Sequence, residues 1–185
     1  GNLIGLDAGG LPDGNELVGV YINGSSNNTI GGPGNNDRNV ISSNLQQGVQ
    51  IAGGNGNQVK HNYIGTLTDG SAASPNTLAG VYINDLSPAS GNIIADNLIS
   101  GNLGDGVTIT GDNADANSVL GNRIGTNLAR NAPLANGGAG VSIRVGADDN
   151  LIGTSGNGNT ISGNDGDGVD IQDPGTNGNL VRGNI

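Results

Sequence analysis

Apolar residues along this chain alternate with polar or small ones, and no stretch follows a helical period. In Gly106–Thr126, GVTITGDNADANSVLGNRIGT, Val107 and Ile109 stand two apart, Val119 comes two residues after Asn117, and Ile124 two after Asn122. A two-residue period is that of a short strand with one buried face. The segment recurs throughout the chain. Gly-Val-x-Ile returns at Gly19, Gly48, Gly80, Gly106, Gly140 and Gly168. One asparagine series, each member two residues before Ile or Val, runs Asn28, Asn57, Asn92, Asn117, Asn150, Asn179. A second, two residues before Ile, runs Asn2, Asn39, Asn62, Asn97, Asn122, Asn159 and opens again at Asn184. The three series interleave without exception, and every second turn is longer, so that Asn2, Asn62, Asn122 and Asn184 repeat at 60, 60 and 62 residues.

Three short strands per turn cannot make a core alone, but stacked turns share one. The pattern therefore predicts an all-β solenoid, a right-handed single-stranded parallel β-helix with three strands per coil and six to seven coils. With coils about 4.8 Å apart, it forms a rod roughly 30 Å long. The right hand follows from the rule for parallel crossovers. Three inward columns are expected: Val and Ile of the Gly-Val-x-Ile strands; Ile30, Val59, Ile94, Val119, Ile152, Val181; and Ile4, Ile41, Ile64, Ile99, Ile124, Ile161. Nearly all are β-branched, which suits stacking of like on like. The asparagines are assigned to corners, where they tolerate the left-handed conformation and bond local backbone. Stacked one coil apart, their amides are expected to form ladders along the axis.

Composition narrows the picture. The chain has no Cys, Met, Trp or Phe, so the core is a narrow tube of Val and Ile, with neither disulfide nor thiolate metal site. A net charge of −10 argues against nucleic acid and anionic membrane as partners, and no window is apolar enough to be inserted in a bilayer. The repeat starts at a corner asparagine and stops at Ile185, so residues 1–185 are expected to be one β-helix segment of a longer repeat protein, with end-to-end self-association through open coils as a candidate interaction.

Asn-Asn-Thr-Ile-Gly-Gly (27–32), Asn-Val-Ile-Ser-Ser-Asn (39–44), Gly-Asn-Arg-Ile-Gly-Thr (121–126) and the repeated Gly-Val-x-Ile resemble right-handed parallel β-helix repeat proteins, above all the long bacterial proteins of secreted or cell-surface type. The resemblance covers the whole chain and implies an extracellular or cell-surface location. Proteins of this fold include polysaccharide lyases, hydrolases, epimerases, tailspikes and adhesins, so the fold by itself does not choose an activity.

The candidate chemistry is sparse. Glu16 is the only glutamate, so a carboxylate pair for glycoside hydrolysis has to come from aspartates. Asp105 and Asp167 each precede a Gly-Val-x-Ile strand, two coils or about 10 Å apart, with Asp165 and Asp170 beside the second; that is wide for a catalytic pair. The clustered aspartates and His-Gly that a resemblance to polygalacturonases would require are missing, as is the Tyr-Gly-x-Asp-Pro-His of alginate epimerases. His61, the sole histidine, has no Cys or Glu neighbour to build a zinc site. No metal site or cofactor is assigned, though Asp and Asn oxygens in Gly31–Asp37, Asp148-Asp149 and Asp165–Asp167 are candidates for Ca²⁺. The outward column of the Gly-Val-x-Ile strands reads Tyr21, Gln50, Tyr82, Thr108, Ser142, Asp170. Long loops at 6–18, 67–79 and 127–139 are expected to border it as a groove, in which Tyr21 and Tyr82 stack on sugar rings. The leading expectation is a non-catalytic structural or adhesive segment: a rigid spacer, stalk or filament. The alternative is a carbohydrate-binding or polysaccharide-processing β-helix with Tyr21, Tyr82, Asp105, Asp167 and Asp170 at its site.

Overall fold

The computed structural model describes residues 1–185, with Asn35 described in its backbone alone. Eighteen strands of two to four residues are joined into three parallel sheets of six strands each. Sheet one stacks Leu3–Ile4, Val40–Ile41, Tyr63–Ile64, Leu98–Ile99, Arg123–Ile124 and Thr160–Ile161. Sheet two stacks Val20–Asn23, Val49–Ala52, Val81–Asn84, Val107–Thr110, Val141–Arg144 and Val169–Ile171, and sheet three the strands from Thr29–Gly31 to Leu180–Val181. Each strand pairs with its counterpart one turn away, so the backbone coils and every coil rests on the next.

The registers place like on like. Ile64 pairs with Ile99 and Ile99 with Ile124; Ile83, Ile109 and Ile143 form a second file, and Val59, Ile94, Val119 and Ile152 a third. All three expected columns meet in one hydrophobic cluster that runs through the tube, except in the last coil, where Ile171 and Val181 are 41 % and 43 % exposed. Ala89, Ala114 and Ala147 complete it at the corner between sheets two and three. Each stands three residues before an asparagine of the first series, a position otherwise occupied by Ser25, Gly54 and Thr176.

Asparagine ladders close the corners, and there are three of them. Along the second series, Nδ2 of each residue donates to Oδ1 of the next, from Asn2 to Asn184, at 2.8–3.1 Å. The first series does the same from Asn28 to Asn179. The third ladder, Asn15, Asn44, Asn76, Asn102, Asn136 and Asn164, was not anticipated. Its members stand four residues before every Gly-Val-x-Ile glycine, a fixed spacing that carries the signal; they lack the Ile or Val two residues later that marks the other two.

The alternation of long and short coils has a local cause. Gly65 and Gly125 take φ of +88° and +85° before a loop, and a Cβ at either would collide with the carbonyl of Ser100 or Ser162 in the next coil. The short coils carry serine at this level, and the Ser42 and Ser100 hydroxyls donate to the carbonyls of Thr66 and Thr126 at 2.8 Å. In the long coils the chain leaves the tube as a small hairpin, closed by antiparallel bridges Leu6–Pro12, Thr66–Ala73 and Thr126–Pro133. These hairpins pack on the outward face of sheet one, where Leu6 and Leu128 join Val40, Tyr63 and Leu98 in a second apolar cluster. The Leu128 N–H donates to the Gly70 carbonyl at 3.0 Å, which ties two hairpins together across the short coil between them.

Candidate functional site

Among the described residues, the outward faces of sheets two and one each carry a concave surface. The first is on the Tyr21/Tyr82 face of sheet two, whose outward column stacks in the expected register from Tyr21 to Asp170. The face is not uniformly open: Tyr21 is 52 % exposed, whereas Thr108 and Ser142 are 1 % exposed. A cavity of about 270 Å³ is lined by Tyr82, Thr108, Asp105, Arg144, Gln47 and Leu78. The long loops reach this face only through their return limb (Leu78 and Ala79), because their hairpins are turned onto sheet one instead.

Asp105 lies at the edge of that cavity with its carboxylate already engaged. Oδ1 accepts the Ala139 N–H and Oδ2 the Thr108 hydroxyl, both at 2.8 Å, and Arg144 Nη2 stands 3.9 Å from Oδ2. These bonds fix the position of the carboxylate and tie neighbouring coils. Asp167 occupies the equivalent exposed place two coils on, and Asp170 is half-buried beside Ser142. The structure thus brings Tyr82 and Asp105 together and leaves Tyr21 at one end of the face and Asp167 and Asp170 at the other. Two of the aspartates considered for calcium are used locally: Asp37 Oδ2 accepts the Gly34 N–H at 2.9 Å, and Asp148 Oδ1 accepts the Asn177 N–H. Asn35, in the same loop as Asp37, lies outside the described side chains. Among the described residues, no group of three or more His, Cys, Asp or Glu side chains is placed to hold a metal ion.

The second concavity, about 410 Å³, lies on the outward face of sheet one and was not visible in the sequence. Tyr63, Leu98 and Arg123, stacked in register, form its floor. Leu128 and Arg130 of a hairpin form one wall; His61, Asp96, Gly121 and Asn157 form the other. His61, Asp96 and Gly121 all turn the corner with positive φ (57°, 58° and 64°). At Gly121 a Cβ would strike the side chains of Asp96 and Asn157, so glycine keeps this wall open. Arg38 closes one end, its guanidinium 4.3 Å above the Tyr63 ring. Arg123 Nη1 donates to the Leu128 carbonyl at 2.9 Å. Burial, and after it the charge of Arg130, lower the proton affinity of the Arg123 guanidinium, while Tyr63 acts in the opposite sense. His61 gains a neighbour that sequence reasoning did not supply: Asp96 Oδ2 stands 3.9 Å from its Nε2.

A family model for the right-handed beta helix region matches residues 13–185, and the chain belongs to that family. The parallel coil described above is therefore right-handed. No match was found among curated proteins or among solved structures.

Proposed function

We propose that this chain is a rigid, non-catalytic structural or adhesive segment of an extracellular or cell-surface repeat protein, acting as spacer, stalk or filament. The observation that carries this reading is continuity. Three aliphatic files and three amide ladders run through successive coils, so neighbouring coils are locked at every corner and bending at any one level would strain them all. Asp105, the acid best placed on the tyrosine face, serves the same stiffness by bonding the backbone of the next coil.

A carbohydrate-binding or polysaccharide-processing role is the second reading, favoured by the exposed Tyr21 and by the cavity beside Tyr82. A panel of neutral and acidic polysaccharides, assayed for chain cleavage and for retardation in affinity electrophoresis, separates the two. The rod reading expects no cleavage and no retardation that depends on Tyr82. Release of unsaturated or reducing ends, or binding reduced tenfold or more by Tyr82→Ala, would overturn it in favour of the second.

A further inference from the structure

Asp and Glu outnumber Lys and Arg in this chain by 16 to 6. Yet among the described residues Arg38, Arg123 and Arg130, together with the only histidine, line the cavity of about 410 Å³ on sheet one, and Asp96 is the only carboxylate lining it. Asp96 is drawn towards His61. Among the described residues neither Arg123 nor Arg130 has a carboxylate within ion-pair distance. Arg123 commits one of its N–H groups to the Leu128 carbonyl, and a guanidinium carries five. The His61 Nδ1 atom is buried without a hydrogen-bond partner. Like charges gathered in a partly desolvated cleft repel one another, and a buried polar atom without a partner is unfavourable. Stiff elements hold this arrangement: Arg123 stands on a central strand, Arg130 on a hairpin bonded to its neighbour, and His61 on a left-handed corner.

We propose that this cavity binds an oxyanion-bearing ligand, whose carboxylate or sulfate group sits between Arg123 and Arg130 with Arg38 and His61 at its margin. Planar guanidinium forks suit both groups, because two parallel N–H bonds reach two oxygens at once. The volume lies within the range of about 300–1,000 Å³ usual for small-ligand sites. The site is on a different sheet from Tyr21 and Tyr82, and it stands whether or not the tyrosine face binds sugars.

The test is a titration of the whole chain, followed by backbone amide NMR, with three probes: inorganic sulfate, a trimer of galacturonate, and the neutral trisaccharide cellotriose. The expected result is saturable binding of sulfate, of the galacturonate trimer, or of both, with shifts centred on Gly121, Leu128 and Gly158. Binding of sulfate alone identifies a tetrahedral group as the ligand, and binding of the trimer alone a carboxylated sugar chain. Affinity should fall about tenfold or more in Arg123→Gln and in Arg130→Glu. It should stay within twofold of the parent in Arg182→Glu, which lies outside the cavity, and it should weaken with added salt. Arg130 is exposed, so its replacement leaves the fold intact and the result interpretable. The proposal is overturned if neither charged probe saturates, if cellotriose binds as well as the galacturonate trimer, or if both arginine variants retain the parent affinity.

Discussion

Replacing Ile109 by aspartate should abolish cooperative folding of the central coils. Ile109 is fully buried and lies in register between Ile83 and Ile143, with aliphatic side chains of the other sheets across the tube. A carboxylate there meets no cation. Either it stays protonated or the coil opens to admit water, and the effective penalty for an unpaired buried charge is several kcal/mol. That is comparable with the whole stability of an ordinary domain, about 5–15 kcal/mol. Because each coil is held only by its neighbours, the damage should spread: hydrogen-exchange protection should fall in Val81–Asn84 and Val141–Arg144 as well as in Val107–Thr110. Ile171→Asp, at a position 41 % exposed in the last coil, should cost far less, and Ile109→Leu, which conserves volume, below about 1.5 kcal/mol. Equal losses for Ile109→Asp and Ile171→Asp in denaturant unfolding would contradict the shared core.

The second large effect is expected at Asn97, where one amide serves three coils. Its Nδ2 donates to the Val59 carbonyl at 2.8 Å in the preceding coil and to Asn122 Oδ1 at 3.0 Å in the following one. Its Oδ1 accepts the backbone N–H and the Nδ2 of Asn62 at 2.8 and 3.1 Å. Asn97→Leu is close in size yet leaves the Asn62 N–H buried without a partner and removes one bond each from Asn62 Nδ2, Asn122 Oδ1 and the Val59 carbonyl. At roughly 1–3 kcal/mol for the orphaned N–H and about 1 kcal/mol for each of the other three lost bonds, the expected destabilisation is about 4–6 kcal/mol. Asn97→Asp should be no better at neutral pH, since a carboxylate keeps the acceptor, loses both donors and brings a buried negative charge against two oxygens. Asn28→Ala is the control: Asn28 begins its ladder in an exposed position and donates to Asn57 without receiving from a coil before it, so about 1 kcal/mol is expected. Chemical denaturation of the three variants measures these differences directly.

Much of this was written in the repeat. The β-branched positions of Gly-Val-x-Ile and of the two Asn-x-Ile series had to face inward, because period two leaves one buried face per strand. The files of Ile64, Ile99 and Ile124 follow from that alone. The third ladder escaped because its asparagines are marked by distance to a later glycine and not by an apolar residue nearby. The direction of the hairpins was also illegible. Turn residues dictate how Leu67–Gly70 bends, but nothing local dictates that Leu6 and Leu128 cover Tyr63 and Leu98 on sheet one. The arginine cavity was hidden for a related reason. Arg38, His61, Asp96, Arg123 and Arg130 are scattered along the chain and meet only because coil register brings residues several coils apart around one cavity. His61 therefore looked like an isolated turn residue, although its equivalent one coil on is Asp96.

The most direct test of the coil is a set of methyl–methyl nuclear Overhauser contacts among the isoleucines of sheet one. The structure predicts a strictly sequential file in which the δ-methyl of Ile41 contacts that of Ile64, Ile64 that of Ile99, Ile99 that of Ile124 and Ile124 that of Ile161. Pairs two coils apart, about 10 Å from each other, should give no contact. Contacts that skip a member of the file, or isoleucines resolved into separate groups, would contradict the stacked coil and every inference that rests on it.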